Sequence, residues 1–78
     1  MNDITVTIIA GRWAKKYIAE ETTHLILKDG ADISDALDTL GIPTDEIGLI
    51  VLNGKTELRE MKLRTGDRIE ILPVIIGG

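Results

Sequence analysis

The chain contains one stretch that can form a complete amphipathic α-helix, and this feature limits the folds available to it. Apolar side chains recur there at the helical spacing, at Ile33, Ala36, Leu37 and Leu40. Asp32 is a good N-cap for this helix, and Gly41 is placed to end it in the left-handed conformation. A single apolar stripe needs one apolar surface to cover, and one sheet provides that surface. We therefore predict an α+β fold with one main helix packed on one sheet.

Four or five segments have the composition of strands. They are residues 4–10, 22–28, 48–52, 55–58 and 68–71. The first and last of them alternate apolar and polar side chains, which is the period of a half-buried strand. The third is a continuous apolar run, which favours a central strand buried on both faces. The order of these segments around the helix predicts a four- to five-stranded sheet covered on one side.

Two connections carry local signals of their own. The pair Asn53-Gly54 favours a type I′ hairpin turn, because both residues tolerate a positive φ. Residues 12–20 are reasonable helix formers that follow the first strand, and their composition allows a short helix there. Trp13 and Tyr17 lie four residues apart in this segment, so they can cover one edge of the core from a single face.

The composition excludes several kinds of function. The chain has 78 residues, which is enough for one domain, and it has no cysteine. Disulfides, thiolate zinc sites and cysteine nucleophiles are therefore excluded. Its lone histidine, His24, has no carboxylate cluster at ligand spacing, so we expect no metal site and a surface position for this side chain.

The charge and the hydropathy pattern indicate a partner other than nucleic acid or lipid. The net charge is −4, with acidic and basic residues interspersed, whereas nucleic acid requires a basic stripe. The apolar runs are far shorter than the roughly 18 residues of a membrane helix. The first residues have neither the basic nor the apolar region of a signal peptide, so we expect a cytoplasmic protein that docks on a basic protein surface.

The last six residues, 73–78, follow the final strand and end in two glycines. Pro73 removes a hydrogen-bond donor and disfavours further sheet pairing. The segment can extend by about 3.3–3.6 Å per residue, or about 20 Å in all. A tip of Gly77 and Gly78 has no side chains, so it can enter a narrow channel and present the Gly78 carboxylate there. Two consecutive glycines at a chain end can also arise by chance, and alone they are modest support for a function.

The residues from Leu63 to Gly78 resemble the closing segment of the molybdopterin synthase small subunit and of the thiazole-pathway sulfur carrier. Residues 51–55 resemble the preceding hairpin of the same sulfur-carrier superfamily. The resemblance implies a ubiquitin-like β-grasp fold with the first and last strands parallel at the sheet centre. It also implies a β-grasp domain over residues 1–72 and an extended tail over residues 73–78.

The resemblance further implies a chemistry for the chain end. A ubiquitin-activating-type enzyme would adenylate Gly78 with its own ATP, and a persulfide sulfur would convert the adenylate to a thiocarboxylate. The tail would then enter an acceptor enzyme such as the molybdopterin synthase large subunit, through Pro73, Val74, Ile75, Ile76 and Gly77. The carrier would act as a sulfur-donating co-substrate, with no catalytic side chain and no bound cofactor or metal of its own. Thiazole synthesis, conjugation of Gly78 to a target lysine, and an interaction module with an inert tail are the alternatives.

Strand alternation also predicts a docking patch. If Ile69 and Ile71 face the helix, Leu72 faces the opposite side, as does Ile9 of the first strand. Ile9 and Leu72 can then form an exposed apolar patch near the tail, which we expect to dock the activating enzyme and the acceptor enzyme in turn. The alternative is that the segment around Trp13 folds over Ile9 and hides it.

Overall fold

The computed structural model describes residues 2–75. Its elements in chain order are β1 (Asp3–Ala10), a first 3₁₀ helix (Arg12–Ala14), β2 (Thr22–Lys28), α1 (Ile33–Leu40), a second 3₁₀ helix (Thr44–Glu46), β3 (Ile47–Leu52), β4 (Lys55–Thr56) and β5 (Arg68–Pro73). The strands form one five-stranded sheet in the order β2-β1-β5-β3-β4. β1 and β5 run parallel, and the other neighbouring strands are antiparallel. The predicted fold class, a ubiquitin-like β-grasp, is confirmed.

The core lies between α1 and one face of the sheet. Alternate residues of the strands point into it, and the most deeply buried are Val6, Ile8, Ile69 and Ile71. The helix contributes the apolar stripe seen in the sequence, with Ile33, Ala36 and Leu37 almost fully buried. Since one eight-residue helix covers only one face, the other face of the sheet is open.

Both predicted ends of α1 are confirmed. The Asp32 carboxylate accepts a hydrogen bond from the Asp35 backbone N–H at 2.9 Å, and the Asp35 carboxylate accepts the Asp32 N–H at the same distance. This reciprocal pair satisfies two of the donors that a helix start leaves free. At the other end Gly41 has a φ of 76°, as the C-terminal cap requires.

The fourth strand is shorter than predicted: it ends at Thr56, whereas the sequence pattern favoured residues 55–58. The chain then turns away from the sheet and supplies hydrogen-bond acceptors to the start of α1. Ile33 N–H donates to the Met61 carbonyl and Ser34 N–H donates to the Arg59 carbonyl, both at 3.0 Å. The requirement to satisfy the first turn of the helix therefore competes with strand pairing. The turn that precedes β4 is as predicted, with positive φ at Asn53 and Gly54.

The connection between β1 and β2 contains less helix than its composition indicates. Only Arg12–Ala14 is helical, as a single 3₁₀ turn, and the rest of residues 12–20 is not helical. Ala14 and Ile18 are buried and anchor the segment. Trp13 and Tyr17 pack against the edge of the core, which confirms their predicted covering role.

Candidate functional site

The last strand leads the chain out of the sheet beside β3. Pro73 is the last residue of β5 and pairs with Ile47, so sheet pairing ends at the proline itself. The next residue, Val74, donates its N–H to the Glu46 carbonyl at 3.1 Å. Ile75 is 92% exposed. We call Pro73 and Val74 the tail root, because they join the folded sheet to the predicted tail.

Half of the predicted tail can be located. Pro73 is half-buried, and Val74 and Ile75 are exposed. Ile76, Gly77 and Gly78 lie outside the described residues, as does Met1. The use of Gly78 as the modified residue, and the division of the chain at residues 72 and 73, therefore stay predictions.

The two residues of the predicted docking patch lie on the open face of the sheet. Leu72 is 37% exposed and Ile9 is half-buried. Ile9 pairs with Glu70 across the parallel β1–β5 ladder, so Leu72, two residues further along β5, is its diagonal neighbour on the same face. Long side chains can meet at such diagonal positions.

Ile9 borders a shallow groove on this face. The groove has a volume of about 320 Å³ and is lined by Ile9, Val51, Asn53, Gly54, Arg68 and Glu70. Trp13 is not among the lining residues. Its indole ring instead packs towards the core edge and towards the position that a Gly11 Cβ would occupy.

Two apolar residues of β3 that share this face were missed by the sequence analysis. The apolar run of β3 was predicted to be buried on both faces, and this was wrong for Leu49 and Val51. Leu49 is exposed and pairs with Leu72, and Val51 is half-buried and pairs with Glu70. The single amphipathic helix was the signal that could have found them, because one helix leaves one sheet face uncovered. We define the open-face patch as Ile9, Leu49, Val51 and Leu72.

Charged side chains lie within and beside this patch. Glu70 is exposed and lies between Ile9 and Val51 across the sheet, and Arg68 is exposed two residues earlier on β5. The open face therefore combines apolar side chains with charges of both signs.

A polar contact lies beside the tail root. The Tyr17 hydroxyl donates a hydrogen bond to the Glu46 carboxylate, and this bond raises the pKa of Tyr17 above its usual value. Lys16 lies over the Tyr17 ring, with its Nζ 5.3 Å from the ring centroid. These residues connect the β1–β2 segment with the start of β3.

Over residues 2–75, no three His, Asp or Glu side chains are grouped so that they could hold a metal ion. His24 is exposed, as predicted, and its Nδ1 lies 3.2 Å from the Thr7 hydroxyl. Within the same residues the longest helix is α1, whose eight residues are too few to cross a membrane.

Comparison with known proteins gives one family match. The model of the Mut7-C ubiquitin family matches residues 14–76, which is most of the chain.

Several solved structures share the fold. The HVO 2177 protein of Haloferax volcanii superposes with a TM-score of 0.80 at 15% identity, over 97% of this chain and 88% of that protein. SAMP1 from Haloferax volcanii gives 0.76 at 19% identity, over 95% and 99%. A putative molybdopterin converting factor subunit 1 from Pyrococcus furiosus gives 0.78 at 14% identity, over 92% and 99%. At these identities the structures establish the shared fold alone.

Proposed function

Since the chain belongs to the Mut7-C ubiquitin family, we propose that it is a carrier whose C-terminal carboxylate, on Gly78, is charged by an adenylating enzyme. The observation that carries the proposal is the course of β5. This central strand ends at a tail root that leaves the sheet beside an apolar open face, and the exposed Ile75 and the Gly77-Gly78 pair follow. In this proposal the folded body docks on partners, and the chain beyond the tail root enters their active sites.

The proposed charging step needs no side chain of the carrier. A Gly78 carboxylate oxygen attacks the α-phosphorus of ATP, which is bound by the adenylating enzyme, and pyrophosphate leaves. The resulting mixed anhydride is a far better acyl donor than the carboxylate, because AMP is a good leaving group. A persulfide sulfur then attacks the carbonyl carbon and AMP departs. A thiol reduces the acyl disulfide so formed, which leaves the thiocarboxylate.

The charged carrier would donate its sulfur to an acceptor enzyme. We propose a molybdopterin-type synthase as the acceptor, on the residues 63–78 that resemble its small subunit. A structure named molybdopterin converting factor subunit 1 shares the fold, which is compatible with that choice. The thiazole pathway is the nearest alternative acceptor.

A second candidate is a protein modifier joined through Gly78 to a target lysine. The similarity to a structure named small archaeal modifier protein 1 favours it. Both functions begin with the same adenylate and differ in the nucleophile that attacks it, a sulfur in one case and a lysine amine in the other.

We assign the open-face patch as the surface on which the adenylating enzyme docks. The patch lies on the face opposite α1 and includes Leu72, which immediately precedes the tail root. Partner contact there would cover exposed apolar side chains without disturbing the core. Because the tail root is continuous with this patch, a docked enzyme would meet the tail as it leaves the sheet.

Mass spectrometry of the chain isolated from its native cells tests the proposal. A sulfur carrier is expected to show an oxygen-to-sulfur exchange at Gly78, whereas a modifier is expected to yield target lysines that carry the tail. A chain end that carries neither change, in cells that contain the adenylating enzyme, would contradict both functions. The same measurement shows whether Gly78 is the terminal residue of the mature chain.

A further inference from the structure

Gly48 lies where β3 bulges against β5. Ile47 pairs with Pro73 and Leu49 pairs with Leu72, so β3 has one residue more than β5 across this step. The extra residue resets the alternation of the strand. Ile47 therefore points into the core, where it is buried, while Leu49 remains on the open face.

The space beside Gly48 is occupied by the backbone of the tail root. A Cβ atom on Gly48 would lie 2.5 Å from the Pro73 carbonyl oxygen, 2.9 Å from the Pro73 carbonyl carbon and 3.0 Å from the Val74 Cα. Ordinary contacts begin at 3.4 Å, so the nearest atom would have to move by about 0.9 Å. Backbone atoms cannot rotate out of the way as the end of a side chain can. Gly48 is outside the group of positive-φ glycines, so space, not backbone conformation, requires glycine here.

Glu46 holds the same tail root from the other side of the bulge. Its backbone carbonyl accepts the Val74 N–H at 3.1 Å, and its carboxylate accepts the Tyr17 hydroxyl. Tyr17 is itself packed against the core edge, next to the buried Ile18. The tail root is thus connected through Glu46 to a segment that is anchored in the core.

We infer that Gly48, Glu46 and Tyr17 are positioning residues, which fix the direction in which the tail leaves the sheet and so aim the chain end at the charging site. This inference rests on the proposed function. The Val74 hydrogen bond is the last backbone tie to the fold along residues 2–75, so the direction of everything beyond it depends on this point.

The geometry gives the size of the effect. A shift of about 0.9 Å over one Cα–Cα step of about 3.8 Å rotates the root by about 14°. Four further residues span at most about 14 Å when extended, so the end of an extended tail would move by about 3 Å. A misplacement of about 1 Å can already cost about a hundredfold in rate. Docking on the open-face patch does not depend on this direction, so the effect is expected in kcat more than in KM.

The test compares Gly48→Ala with Tyr17→Phe, which removes only the hydroxyl that binds Glu46. Gly66→Ala is the matched control. Gly66 precedes the first residue of β5, at the end of the strand opposite the tail root. Its φ is 93°, and no atom lies within 4 Å of the position that its Cβ would take. Gly66→Ala is therefore expected to destabilise the domain without moving the tail root.

Two readouts are combined. The first is amide hydrogen exchange of Val74, with the core amide of Ile69 as reference. The second is ATP–pyrophosphate exchange catalysed by the adenylating enzyme of the same cells. For Gly48→Ala we expect the Val74 amide to exchange at least about tenfold faster, while exchange of the Ile69 amide is unchanged. We expect kcat to fall at least about tenfold, with KM changed less than about threefold. Tyr17→Phe should show the same pattern at about two- to fivefold, and Gly66→Ala should show wild-type kcat.

Each contrary result has a distinct meaning. Wild-type kcat in both Gly48→Ala and Tyr17→Phe, from an enzyme that charges the wild-type chain, would overturn the inference. A kcat loss in Gly66→Ala equal to that in Gly48→Ala would also overturn it, since general destabilisation would then explain both. If the wild-type chain itself is not charged, the proposed function fails, and Val74 exchange still decides whether these residues hold the tail root.

Discussion

Replacing Leu72 tests whether the open-face patch docks the adenylating enzyme. Full burial of a leucine side chain stabilises by about 1.5–3 kcal/mol. Leu72 is 37% exposed, so covering this exposed part of the side chain in a complex is worth about 0.6–1.1 kcal/mol. Leu72→Ala is therefore expected to weaken binding about three- to sixfold. Leu72→Glu would leave an unpaired carboxylate at the contact, and we expect a loss of at least about tenfold.

The matched control for this series is Ile26, on the edge strand β2. Ile26 is 67% exposed and pairs with Thr5, so it lies on the same sheet face as Leu72 but away from the tail root. Ile26→Ala and Ile26→Glu should bind like wild type. Isothermal titration calorimetry against the purified adenylating enzyme measures these affinities, and urea unfolding confirms that each variant is folded. The docking assignment is refuted if Leu72→Glu binds with wild-type affinity, or if Ile26→Glu loses as much.

Two predictions concern stability. Asp32→Ala removes the N-cap of α1 and should cost about 1 kcal/mol at pH 7, whereas Asp38→Ala, which makes the same charge change near the C-terminal end, should be neutral or slightly stabilising. The Asp35 backbone N–H, which donates to the Asp32 carboxylate, is the main cause of the lowered pKa of Asp32. The stability that depends on the Asp32 charge is therefore present above the unfolded pKa of about 3.9. It is lost as the pH falls through the pKa of the folded state. Urea unfolding at pH 7 and pH 3 should show the Asp32→Ala deficit shrinking in acid; an equal deficit at both pH values would contradict the assigned cause. Ile69→Ala creates a cavity at a fully buried position and should cost about 2–5 kcal/mol, and a thermal midpoint within a few degrees of wild type would show that this position is not the core we describe.

Features set by local sequence were predictable. The helix from Ile33 to Leu40 follows from its apolar spacing together with Asp32 and Gly41, and its bounds agree with the structure. The Asn53-Gly54 turn is equally local, because it depends on the φ values that two residues tolerate.

Features that depend on distant segments were less predictable. The parallel pairing of β1 and β5 came from the family resemblance, since side-chain alternation is the same in either direction. The early end of β4 depends on acceptors that residues 59 and 61 supply to α1, which no local pattern shows. The bulge at Gly48 depends on how closely Pro73 approaches, and a lone glycine in an apolar run does not reveal that approach.

The residues of the candidate site also include some that local sequence predicts and some that depend on distant segments. Ile9 and Leu72 follow from alternation along single strands, and the structure places both on the open face. Leu49 was missed because an apolar run gives no information about which face of the sheet remains uncovered. Glu46 could not be singled out at all, because its partners Tyr17 and Val74 lie 29 and 28 positions away along the chain.

The central claim is that an enzyme charges the carboxylate of Gly78. The most direct measurement is acyl-adenylate formation from ATP by the purified adenylating enzyme, with the wild-type chain, a chain that lacks Gly78, and a chain with one residue added after it. We predict charging of the wild-type chain alone, with all three chains equally stable to urea. Undiminished charging of either altered chain would contradict the account, because the activated group would then not be the Gly78 carboxylate.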